Sequence, residues 1–192
     1  MLPRNRVHPS KLSKKHPVWV QKAVKGHFLM RDGVDYINNG HRYDTAHVLL
    51  TEAYNEASAA SSATAIDLAR ICLWNGITLN ENYDLDKVIA NTEAIKWYKK
   101  GLKHLKDAND NPLSIPIMAS LFNSMGVAHH HKLLHKAPKG IPAVALRNYT
   151  RSRDIFRDHP DMKRQLARVM RKVESNTGRL VMRGGCQNCD EV

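Results

Sequence analysis

Three stretches of this 192-residue chain carry the same face. Ala46, Leu50 and Ala53, then Ala94, Tyr98 and Gly101, then Ala145, Tyr149 and Ser152 each set small, large, small at i, i+4 and i+7. Those offsets share one side of an α-helix. The large side chain needs a hollow in a neighbour, and the small ones let that neighbour's backbone approach closely. A face of this kind, met three times, constrains the chain to helices packed in successive pairs, because one pair alone leaves it uncovered. The fullest copy runs from Thr92 to Leu102. Sustained alternation of β-branched and polar residues is lacking, while Ala, Leu, Lys and Met are common, so strands are not expected.

These residues resemble the second helix of a tetratricopeptide repeat, a helix-turn-helix unit of about 34 residues. Among the first helices, Gly33 and Tyr36, with Gly40 at the turn, follow the family spacing if one residue is inserted near Arg42. Phe122, Met125 and Gly126 take the matching places in the third unit, and Leu73, Trp74 and Gly76 stand in for the second. The resemblance covers roughly residues 27–160. It implies an all-α fold: a TPR-like α-solenoid of about three hairpins, 27–58, 62–106 and 117–158, closed by a capping helix over 161–177. Met162, Leu166, Val169 and Val173 supply that cap with an apolar stripe. Residues 1–26 form a basic extended N-terminal tail and 178–192 a C-terminal tail. Family members that clamp acidic chaperone tails use Lys and Asn on the groove. Met30, Val34 and Val127 stand at those places here, which disfavours that use.

Charge is unevenly spread. Residues 1–26 hold seven Lys or Arg and no acid, residues 27–131 nine bases against twelve acids, and residues 132–183 fourteen bases against four acids. The array's middle is ordinary, and both ends suit a polyanion, of which nucleic acid is the commonest. The candidate RNA-binding residues are Arg4, Arg6, Lys11, Lys14 and Lys15 in the tail, Lys136 and Lys139 in a basic loop, Arg147 and Arg151 on the next helix, and Arg164, Arg168, Arg171 and Lys172 on the cap. Arginine's planar fork suits phosphate. A lysine run on the long helix, Lys96, Lys99, Lys100, Lys103 and Lys106, reads as a solvated face. Pro3, Pro9 and Pro17 interrupt the first segment, which offers almost nothing apolar to bury and is expected to order only on a partner. The same prolines, with scarce serine, argue against a transit peptide; a cationic stretch without a core is expected to be an uncleaved extension threaded into a large complex, the alternative being a floppy solubilising tail.

Three cysteines are too few for a disulfide framework. Cys72 sits in an apolar helix and reads as core. Cys186 and Cys189 form a Cys-x-x-Cys, half of a zinc site that would need ligands from elsewhere; otherwise no cofactor is expected. The histidines at 129, 130, 131 and 135 fan around a helix rather than converge, so a metal site there is not expected. Phosphate loops, dinucleotide fingerprints, nucleophile elbows and His-Glu-x-x-His pairs are absent from the sequence, and no enzyme activity is expected. No run reaches the eighteen or so apolar residues of a transmembrane helix.

Three functions remain open at this point. The first is a non-catalytic structural scaffold of a ribonucleoprotein, above all a mitochondrial ribosome, touching rRNA through basic ends and neighbouring ribosomal proteins through its helices. The second is a soluble adaptor, cytoplasmic or otherwise, holding a peptide in a concave groove. The third is an accessory subunit of a mitochondrial membrane complex whose basic ends meet anionic lipid.

Overall fold

The structure is a computed structural model that describes residues 2, 8–33, 40–82, 85–108, 111–134 and 143–159. The protein is all-α: among the described residues every regular element is helical. Besides short 3-10 turns at Pro9–Lys11 and Lys106–Ala108, these are in order α1 (Val18–Gly33), α2 (Gly40–Ala59), α3 (Ala65–Glu81), α4 (Lys87–Leu105), α5 (Ser114–Leu134) and α6 (Ala143–Asp158).

Local chemistry sets the helix starts. Thr64 and Asp67 form a reciprocal capping box on α3: the Asp67 amide donates to Thr64 Oγ1 at 3.2 Å, and Asp67 Oδ2 accepts from the Thr64 amide at 3.1 Å. Two donors that the first turn leaves without helical partners are thereby satisfied. Asp86 caps α4 by accepting from the amides of Val88 and Ile89 at 2.9 and 3.0 Å. Pro116 lies inside the first turn of α5. A first-turn amide has no helical acceptor, so proline forfeits nothing there.

Helix α1 packs on α2, α3 on α4, and α5 on α6; α3 also meets α1 and α2, and α5 also meets α3 and α4. Each pair therefore leans on the one before it. Among the described residues, the two largest apolar clusters run through this stack. One joins Trp19, Val20 and Ala23 of α1 to Leu50 and Ala53 of α2 and to Ile71 and Cys72 of α3. The other joins Ala69 and Leu73 of α3, Ala94, Tyr98 and Leu105 of α4, and Leu121 and Met125 of α5. A smaller one joins Met30 of α1 to Tyr43 and Ala46 of α2.

All nine residues of the small–large–small faces are buried. Opposite each large member lies a glycine. A Cβ on Gly26 would sit 2.8 Å from Leu50 Cγ, one on Gly76 would collide with the Tyr98 ring, and one on Gly126 would sit 2.6 Å from Tyr149 Cε1. Gly101 is close to Cys72 and Leu121, and the Ser152 hydroxyl donates to the Ala119 carbonyl at 2.8 Å.

The first hairpin differs from the sequence reading. It opens at Val18 rather than at residue 27, and the glycine under Leu50 is Gly26; Gly33 is the last residue of α1 and Gly40 the first of α2. The physical reason is that Trp19, Val20, Ala23 and Val24 share a face and supply the buried side of α1. Tyr36, the cap at 161–177 and the tail at 178–192 lie outside the described residues.

Candidate nucleic-acid interface

Helix α4 separates its charges from its core. Ala94, Tyr98, Gly101 and Leu105 are buried, while Lys96, Lys99, Lys100 and Lys103 are exposed on the other side and Lys106 is exposed just past the helix end. Successive helical residues turn by about 100°, which brings residues 96, 99, 100 and 103 onto one face. Glu93 pairs with Lys96 at 2.6 Å. Among the described residues, no ion pair engages Lys99, Lys100, Lys103 or Lys106.

Lys100 is held by rings rather than by acids. Its Nζ lies 3.8 Å from the centroid of the Tyr54 ring and 4.9 Å from that of Trp97, so the quadrupole faces of two aromatics hold the ammonium. The Tyr54 hydroxyl stands 2.8 Å from His104 Nε2. Burial, then the nearby Lys100 and Lys103, lowers the His104 pKa, which favours a neutral ring that accepts the tyrosine proton. This cluster ties α2 to α4. Sequence reasoning missed it, since Tyr54 and His104 lie fifty residues apart and no local spacing joins them.

The basic field continues across α5. His129 is half-buried, and its pKa is lowered by burial first and then by Lys99 and Lys132. Both ammonium groups therefore act on the one imidazole. On α6, Arg147 and Arg151 are exposed and have no ion pair among the described residues, and the Arg151 guanidinium lies 5.7 Å from the Phe122 ring centroid of α5. Arg153 and Arg157, by contrast, pair with Asp154 and Asp158.

Of the other sequence candidates, Lys11, Lys14 and Lys15 are exposed in the segment ahead of α1. Arg4, Arg6, Lys136, Lys139, Arg164, Arg168, Arg171, Lys172, Cys186 and Cys189 lie outside the described residues. Among the described residues no three His, Cys, Asp or Glu side chains gather as a metal site; the rings of His130 and His131 are 6.2 Å apart at 46°. No described helix is long and apolar enough to cross a membrane.

Several buried polar groups join helices. Asn75 bonds to His47 and, at 3.0 Å, to Thr51, which links α3 to α2; Asn82 donates to Asp44 Oδ1 at 3.0 Å. His27 stacks on Trp74 with centroids 4.1 Å apart, linking α1 to α3. Cys72 is wholly buried, and burial pushes its thiol up to about 12, far from a reactive thiolate.

Compared with protein-family models, with curated proteins and with solved structures, the chain matches none.

Proposed function

We propose that this chain is a non-catalytic scaffold subunit of a ribonucleoprotein, built as a TPR-like solenoid and gripping RNA through cationic surface outside its packed faces. The repeat reading is supported by Gly26, Gly76 and Gly126, each 50 residues beyond the last, lying under Leu50, Tyr98 and Tyr149. The unit is thus nearer 50 than 34 residues long. It keeps the family's small–large–small second helix while lengthening the connections.

The observation that carries the RNA reading is the set of exposed cations without carboxylate partners among the described residues: Lys99 and Lys103 on α4 and Lys106 just past its end, with Arg147 and Arg151 on α6. A solvated face built only for solubility usually intersperses both signs. These helices instead leave several positive charges uncompensated, which is the electrostatic footprint of a phosphate-binding surface.

A mitochondrial ribosome is the particle we put first. Co-sedimentation of the tagged chain with ribosomal particles in a mitochondrial lysate tests that assignment, and its absence from every RNA-containing fraction removes the reading. Salt titration of RNA binding tests the mechanism: log affinity should fall steeply with log salt. Replacing Arg164, Arg168 and Arg171 with Ala should make that slope shallower.

A further inference from the structure

Leu2 is the one residue of the first seven that the structure describes, and it is 1 % exposed. It belongs to the apolar cluster of Trp19, Val20, Ala57 and Cys72. Its backbone amide donates to Asp67 Oδ1 at 2.7 Å, and Arg70 Nη1 donates to its carbonyl at 3.5 Å. Asp67 is itself fully buried and fixed by the Thr64 box, so its carboxylate is preset to take the incoming amide. Both main-chain groups of one residue are thus met by side chains one turn apart on α3, while an apolar socket takes the leucine. Folded domains capture a short peptide in the same manner, with backbone hydrogen bonds for affinity and one pocketed side chain for selectivity.

The reading of this segment as having almost nothing to bury is corrected by that contact. Further along, the His8 ring meets Phe28 of α1 edge-on with centroids 4.7 Å apart, and Gln21 Nε2 donates to the His16 carbonyl at 2.8 Å. Lys11, Lys14 and Lys15 lie between these points, all exposed.

We propose that Asp67, Arg70 and the neighbouring apolar socket form an internal docking site for Leu2, which turns the basic segment between Leu2 and α1 into a loop closed at both ends. The opposing cost is the entropy of closing the loop, and the burial of one leucine with one charge-assisted hydrogen bond offsets it. Loss of the leucine therefore opens the loop and leaves the helices in place. Closure holds Lys11, Lys14 and Lys15 beside α1 instead of on a free tail, so less freedom is lost when they meet phosphate. This last consequence rests on the RNA reading above; the docking itself does not.

The test uses the full chain and two substitutions, Leu2→Ser and Leu2→Met, followed by amide hydrogen exchange. In the unsubstituted protein the Leu2 amide should exchange at least tenfold more slowly than a free peptide amide. Leu2→Ser should bring exchange at residues 8–16 at least tenfold closer to the free rate, with α3 and α4 unchanged, and Leu2→Met should restore protection. A Leu2 amide exchanging at the free rate, or a Leu2→Ser protein with unaltered exchange at residues 8–16, overturns the docking. In parallel, Leu2→Ser should weaken binding to a single-stranded RNA oligonucleotide several-fold at 0.1 M salt. Exposed residues 8–16 with unchanged RNA affinity keep the docking and remove its link to RNA. If even the unsubstituted chain fails to bind RNA, the proposed function falls and the exchange result still decides the docking.

Discussion

The Tyr98 ring occupies the space where a side chain on Gly76 would begin. The ring is wholly buried between α3 and α5, so it cannot swing out of the way. Gly76→Ala should therefore cost about 2–3 kcal/mol, an overpacking penalty that exceeds the roughly 1 kcal/mol alanine gains in helix propensity. Gly101→Ala offers a contrast. There a Cβ would sit 3.0 Å from a Leu121 methyl and 3.2 Å from Cys72 Cβ, contacts that shifts of a few tenths of an ångström relieve, so the change should lie within about 1 kcal/mol of neutral. Urea unfolding checks both, and equal midpoints for Gly76→Ala and the unsubstituted chain would refute the contact.

Alkaline pH should unfold the protein through its buried acids. Burial pushes the Cys72 thiol from its ordinary value of 9.0 up to about 12, and raises the phenols of Tyr98 and Tyr149 above 10.0. The folded state thus keeps protons that the unfolded chain releases. Stability is fully present below pH 9 and falls above it, by about 1.4 kcal/mol per pH unit for each group that has begun to ionise only when unfolded. Denaturant midpoints from pH 8 to 11 measure this. Cys72 should also resist alkylation at pH 8 until the chain is unfolded, as peptide mapping of the labelled thiols would reveal.

Acid acts through His129 in the opposite sense. Its folded pKa is lowered from 6.5, by burial and then by Lys99 and Lys132, so the unfolded chain binds the proton first. The stabilisation is present above pH 6.5 and is lost as pH falls through the lowered folded value. A polyanion seated near Lys99 and Lys132 would relieve the repulsion and raise the pKa. RNA affinity should then climb between pH 7 and 5.5 with net proton uptake, and His129→Gln should flatten that rise. Calorimetry in buffers of different ionisation enthalpy gives the uptake directly.

Charge reversal at Lys99 and Lys103 separates binding from folding. Both side chains are exposed, and no ion pair engages them among the described residues, so Lys99→Glu with Lys103→Glu should shift the unfolding midpoint little. RNA affinity should drop about tenfold or more at 0.1 M salt. The salt slope should become shallower by about 0.7 for each phosphate of a single strand that is no longer neutralised. Unchanged affinity would mean that α4 presents a solvated face and nothing more.

Residues differ in how legible their roles are along the chain. Ala94, Tyr98 and Gly101 are readable because their spacing is local: three residues within two turns share a side whatever surrounds them. Gly26 is harder to find. Gly33 lies nearer the family spacing, and only the recurrence at 26, 76 and 126 gives the other away. Leu2 is harder still, since nothing near it in sequence indicates a socket formed by α1, α2 and α3. The Tyr54, Trp97, Lys100 and His104 cluster joins two helices whose register the sequence leaves open.

The sequence by itself determined that the chain is helical, that three of its helices carry a small–large–small packing face, and where positive charge accumulates. Those properties depend on side-chain periodicity and on counts, which need no partner to be defined. The tertiary structure alone decided which glycine lies under each large residue, where the first hairpin opens, and which lysines stay without a carboxylate. Each is a relation between surfaces distant along the chain. It is settled by which pairs of faces can close on one another without a clash or a stranded polar group, a condition that no single stretch of residues can meet or fail alone.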